Sequence, residues 1–164
     1  DSEGQNDSDE ATSITQDRTP QQKLDDVRLK VAEALNLKLG ANLIRKRQAL
    51  FEDKEGSVRA CITVSKRYDN ALQPYWYAFH PKWDAFLEGA QHGYMVFGCV
   101  DRNDAFAIPI SEMRKILPSL NQTIKSDGSV YWHVKFADFS TGLVLFASKT
   151  GEKFSLQNYR VELQ

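Results

Sequence analysis

The chain has 164 residues, a formal net charge of −1, 26% charged residues and only two cysteines. No run approaches the roughly 20 apolar residues a membrane helix requires, and the polar start lacks the apolar segment of a secretory signal, so neither a membrane protein nor an exported one is expected. Cys61 and Cys99 each fall inside an apolar run, which marks them as small buried hydrophobes rather than a disulfide and fits a reducing cytosol.

The charge is unevenly spread. Asp1 to Thr19 holds six carboxylates and one arginine, a formal −5, which leaves residues 20–164 with about +4. Such a polar, acidic stretch buries too little apolar surface to offset chain entropy, so residues 1–19 read as a disordered acidic linker. The remaining 145 or so residues are the usual size of one domain with one core, and residues 20–164 read as a single α+β domain.

Past Pro20, with Thr19 as its cap, Leu24, Val27, Val31, Ala34 and Leu35 recur at three-and-four spacing and predict an amphipathic helix. A second helix is expected over Gly40 to Phe51, with Leu43, Ile44, Leu50 and Phe51 as its apolar side and Arg45, Lys46 and Arg47 facing water. After the turn Glu52 to Gly56 the period changes to two, and Val58, Ala60, Ile62 and Val64 predict a half-buried strand. Tyr75 to Phe79 reads as an aromatic strand, and Pro81 opens a helix carrying Trp83, Phe86 and Leu87 that Gly89 closes.

Gly93 to Val100 and Ala105 to Ile110 flank Asp101-Arg102-Asn103-Asp104 as a hairpin. Ser111 is placed to cap a helix bearing Met113, Ile116, Leu117 and Leu120. Asn121 to Ser129 reads as loop, Tyr131 to Phe139 and Gly142 to Ser148 as another hairpin, and Lys153 to Leu156 as a last strand. The order predicts an α+β fold: N-terminal helices, then a mixed or antiparallel sheet with two inserted helices.

The densest polar feature is basic. Lys38, Arg45, Lys46, Arg47, Lys54, Arg59, Lys66 and Arg67 fall within thirty residues. Arg45, Lys46, Arg47, Arg59, Lys66 and Arg67 are the candidate phosphate contacts, since cations that displace counterions from nucleic acid give salt-dependent binding. The alternative is an ordinary solvated face. Two aromatic clusters, Tyr75-Trp76-Tyr77 and Tyr131-Trp132, lie on predicted strands, where alternate side chains face opposite sides. Trp76, Tyr131 and His133 are therefore candidate contacts to bases or modified bases, and the same clusters admit a cage for a flat ligand. The three histidines and two cysteines show no metal-ligand spacing, so no metal or cofactor is expected from them.

The run Gly56 to Arg67, followed by an aromatic strand, a helix and two strands, resembles the core of restriction-endonuclease-like domains. The resemblance implies a divalent-metal site in which Lys66 matches the lysine of an acidic-x-Lys triplet and Asp53 or Glu55 stands near the aspartate. Val64 occupies the triplet's carboxylate position and can neither ligate Mg²⁺ nor polarise water, so a catalytically silent copy is implied. The phrases Tyr75 to Trp83, Gly98 to Asp101 and Tyr131 to Val134 are similar to prokaryotic domains appended to restriction or nucleic-acid-processing proteins.

The expected function is a non-catalytic module that binds nucleic acid, chiefly DNA and including modified or single-stranded DNA, beside other domains of one cytoplasmic polypeptide and away from membranes. Two alternatives stand beside it: a Mg²⁺-dependent nuclease using Asp53, Glu55 and Lys66, and a domain that binds proteins or small ligands through its aromatic clusters.

Overall fold

The computed structural model describes residues 21–69, 72–140 and 142–164, and the acidic linker expected over 1–19, with the Thr19 cap, lies outside them. The described residues form three α-helices and eleven strands, an α+β fold. Helix α1 (Gln21–Leu39) presents Leu24, Val31, Ala34 and Leu35 inward, as its spacing predicts. Gly40, at φ 63°, then turns the chain left-handed, the conformation glycine adopts at a helix end without steric cost.

The second helix is not formed. In its place stand two short strands, β1 (Ile44–Arg45) and β2 (Leu50–Glu52), paired antiparallel with Ile44 opposite Glu52 and Arg45 opposite Phe51. The apolar spacing that suggests a helix puts Ile44 on one side of the pair, where it is 51% exposed, while Phe51 is buried. Arg45 thus ends β1, and Lys46 and Arg47 belong to the turn of a hairpin, not to a wet helix face.

Strand β3 (Val58–Ser65) continues that hairpin into a six-stranded sheet. The remaining members are β5 (His92–Cys99), β6 (Asp104–Pro109) and β11 (Arg160–Glu162), giving the order β1-β2-β3-β5-β6-β11. Every neighbouring pair is antiparallel except β3 and β5, whose parallel pairing sets Val58 beside His92 and Ser65 beside Cys99. Residues 60–65 of β3 are all buried, so the half-buried expectation is corrected: both faces of this strand are covered.

The crossover between the parallel strands carries β4 (Tyr75–Phe79) and α2 (Pro81–Glu88). Helix α3 (Ile110–Ile116) follows β6; it starts after Pro109, with the expected cap Ser111 already inside its first turn. The second sheet joins β10 (Glu152–Ser155), β9 (Gly142–Ala147), β8 (Val130–Phe139) and β4 in that order, and β7 (Gln122–Ile124) also pairs with β8. Strand β7 lies in a stretch whose sequence shows no alternation, whereas β11 sits in the alternating run Asn158 to Gln164, a signal the expected last strand at Lys153 to Leu156 left unused.

Helix α1 covers one face of the six-stranded sheet, packing Val31, Ala34 and Leu35 on Ala60, Ile62, Val96 and Ala107. The other face meets α2, α3 and the inner face of the five-stranded sheet in the larger core, where Trp83, Met113, Tyr77, Phe97 and Phe136 pack together. Two tyrosines stitch the sheets: the Tyr77 hydroxyl donates to the Gly98 carbonyl at 2.9 Å, and the Tyr75 hydroxyl donates to Asp101 Oδ1 at 2.7 Å. Cys61 and Cys99 are buried in this core as expected, and burial pushes the Cys99 thiol up to about 12. No helix among the described residues is long and apolar enough to cross a membrane.

Candidate functional site

The six basic candidates do not form one surface. Arg45 ties the hairpin to α1: its guanidinium pairs with both carboxylate oxygens of Asp25 and donates to the Gln48 carbonyl at 2.8 Å. Arg28, fully buried on α1, holds the same Asp25 at 2.9 Å and donates through Nε to the Ile62 carbonyl of β3 at 3.0 Å. The two guanidinium groups hold the Asp25 carboxyl below its usual range, the hydrogen bond from Arg45 being the largest cause. Arg45 is thereby a structural latch.

Lys46 lies 3.6 Å from Glu52, and the same carboxylate pairs with Arg59 at 3.2 Å. Arg59 also donates to the Phe86 carbonyl near the end of α2 at 2.8 Å and stacks on the Phe86 ring. At the far end of β3, Arg67 donates to the Tyr75 hydroxyl at 3.0 Å and faces Asp101 at 3.6 Å, while Lys66 sits 4.5 Å over the Tyr68 ring. Of the six, Arg47 is the one that is exposed and without an ion-pair partner among the described residues.

The residues of the nuclease alternative are also kept apart. Asp53 caps the β2–β3 turn, accepting from Ser57 Oγ at 2.8 Å and the Val58 amide at 3.2 Å, and Glu55 is exposed in the same turn. Lys66 follows the other end of β3, eight residue steps from Val58, which at about 3.3 Å per residue is about 26 Å away. Asp53 and Glu55 therefore cannot share a metal with Lys66, and among the described residues no three His, Cys, Asp or Glu side chains group as metal ligands.

The aromatic candidates do converge, on the outer face of the five-stranded sheet. Tyr75, Tyr77 and Phe79 of β4 are buried, while Trp76 between them is half-buried. On β8 the register sets Trp76 beside Lys135 and Ala78 beside His133, so Tyr131, His133 and Lys135 share the Trp76 face. Trp132 belongs to the opposite face, packed 5.8 Å from Phe79, so no cage forms between Trp76 and Trp132.

These rings are fixed by hydrogen bonds. The Trp76 indole donates to His133 Nδ1 at 3.0 Å, and His133 Nε2 lies 2.5 Å from Thr123 Oγ1. An indole N–H is only a donor, so Nδ1 carries no proton; the imidazole is the neutral Nε2–H tautomer and donates to Thr123. Burial, then the Lys135 charge, lower the His133 pKa and keep that state. Tyr131 stands 5.1 Å from His133 and 6.4 Å from Trp76, edge to face with the indole, beneath the Lys125 ammonium at 5.3 Å.

The same face extends across β9 and β10 through residues that the sequence reading did not single out. Lys135 pairs with Phe146 and Phe146 with Lys153, so Trp76, Lys135, Phe146 and Lys153 form one cross-strand row. Residues of β9 alternate between half-buried and buried, the pattern of a sheet with one open face. Lys153 also caps the Phe139 ring at 4.8 Å. By register, the outward positions of β4, β8, β9 and β10 hold lysines, aromatics and small residues but no carboxylate. The alternation in 142–147 and the Lys153-Phe154 pair were the available signal.

This face offers flat aromatic surface interleaved with ammonium groups, and where it sets a hydroxyl beside an imidazole, at Thr123 and His133, the imidazole is the donor and not a base. Comparison with family models, with curated proteins and with solved structures finds no match to this chain.

Proposed function

We propose that the chain is a non-catalytic nucleic-acid-binding module whose contact surface is the outer face of the five-stranded sheet. The observation that carries this reading is the Trp76–Lys135–Phe146–Lys153 row, which alternates ring and cation on a face with no outward carboxylate. Rings stack on bases and ammonium groups neutralise phosphates, so the row matches both halves of a nucleotide. Trp76, Tyr131 and His133 keep the roles expected of them as aromatic contacts. Arg45, Arg59 and Arg67 are engaged within the fold and act there. The nucleic acid of this reading is DNA, met in a cytoplasmic setting beside other domains of one polypeptide.

A binding series across salt concentrations tests the surface. Replacing Lys135 and Lys153 by Gln is expected to weaken binding several-fold and to reduce the slope of log K against log salt by about 1.4 to 1.8, whereas Lys46→Ala with Arg47→Ala leaves both unchanged. The reverse pattern would return the site to the hairpin.

A further inference from the structure

We infer that this face takes unpaired nucleic acid, single-stranded DNA or RNA, in preference to a duplex. The inference deepens the reading above and rests on it.

Three observations point to a single strand. Trp76, Tyr131 and Phe146 lie on a sheet, not on a protruding helix or loop; Trp76 and Phe146 stand on neighbouring sides of Lys135, two strands apart and so about 10 Å from each other. Rings set on such a surface meet base faces only where the bases are unstacked, since a duplex hides those faces and offers its grooves instead. Next, the Trp76–His133–Thr123 chain and the edge-to-face contact with Tyr131 hold the rings in place before any ligand arrives, which lowers the ordering cost of stacking. Finally, Lys135 stands inside the aromatic row and not at its rim. Protein interface cores are depleted of lysine, so a protein partner fits this row poorly, whereas a strand whose phosphates recur between its bases fits it well.

The row crosses four strands, about 14 Å at 4.8 Å spacing, which matches a short footprint of a few unstacked nucleotides. Its chemistry reads stacking surface and charge, not base edges, so the sequence preference is weak.

The test is a fluorescence titration with a thymidine ladder of two to twelve nucleotides, a uridine ladder and a blunt duplex of mixed sequence. Affinity is expected to rise with length up to about four nucleotides and then level, with the duplex at least tenfold weaker. Trp76→Ala is expected to lose roughly 5- to 150-fold, the range of one stacked base. Because Trp76 also holds His133, Phe146→Ser provides an independent variant at a half-buried position outside that chain, with circular dichroism to verify its fold. A preference of more than tenfold for thymidine or uridine would name the sugar class. A duplex bound as tightly as the single strands, with both variants indifferent, overturns the inference and leaves nucleic-acid binding standing. No binding to any of them, together with self-association abolished by Phe146→Ser, overturns both.

Discussion

His80 sits at the end of β4, only 6% exposed, between the Trp83 ring at 4.8 Å and the Tyr131 ring at 5.9 Å. Burial, reinforced by the Lys125 and Lys82 charges, lowers its pKa to about 4. The unfolded chain takes up the proton near 6.5 while the folded chain refuses it until about 4, so this histidine costs no stability above pH 6.5 and a growing amount as pH falls through that window. Between pH 7 and pH 5 the loss is about 2 kcal/mol. Urea unfolding at the two pH values is expected to show it, and His80→Phe to remove most of the difference; an unchanged difference would mean that another group titrates. His133 shifts in the same direction, so acid also loosens the hydrogen bond that orients Trp76. Lys82 and Lys135 are near in the sequence, but the larger cause of both shifts is burial, which no residue order shows: Lys125 and Tyr131 reach His80 only once β4 and β8 are paired.

At the scale of elements, the hairpin β1–β2 is where sequence periodicity misleads most. Leu43, Ile44, Leu50 and Phe51 satisfy a helical spacing and two antiparallel strands equally well, and the deciding interaction is remote. Ala49 accepts the Ile62 amide at 2.8 Å, and β2 lies along the edge of β3, satisfying backbone groups that a helix would leave bare. Beyond that point the Ile62 carbonyl is met by Arg28. Arg28→Ala is expected to cost about 2–4 kcal/mol, since it leaves a buried carbonyl and half of the Asp25 pairing unmet. Arg28→Met, which keeps the aliphatic stem, separates packing from hydrogen bonding. Chemical denaturation reads both, and a loss under 1 kcal/mol would show that the Arg45 arm alone holds the latch. Elsewhere the sequence was more transparent: β3, β4, the β5–β6 hairpin, the β8–β9 hairpin and α2 were legible because their apolar runs are long and bounded by turn residues. Strand β7 has three residues and pairs only through tertiary placement, which no local period records, whereas the period-two run Asn158 to Gln164 did mark β11.

For the whole molecule, the uneven charge acquires a spatial meaning. Six carboxylates and one arginine in residues 1–19 face a remainder of about +4, and the outward lysines of the five-stranded sheet lie among that surplus. A segment of that charge is expected to compete electrostatically for the same surface, with a reach that salt limits to about 8–10 Å beyond contact. Removing residues 1–19 is expected to tighten nucleic-acid binding at low salt and to change little at high salt; equal affinity at both would leave the segment no such role. The proposed surface was half legible. Trp76, Tyr131 and His133 were marked by their alternation with core residues, whereas Lys135, Phe146 and Lys153 belong to it only through the register of three different strands. The basic hairpin was conspicuous in sequence because cations that hold a fold together are indistinguishable there from cations that face a ligand.

The most direct measurement is a map of backbone amide shifts in an NMR titration of the intact chain with a short thymidine oligonucleotide. The expected result is a set of shifts centred on Trp76, residues 131–135 and residues 144–146, with the indole N–H of Trp76 among the largest. Shifts confined to the hairpin around Arg45 to Gln48 and to Lys66 and Arg67, with the five-stranded sheet silent, would contradict it.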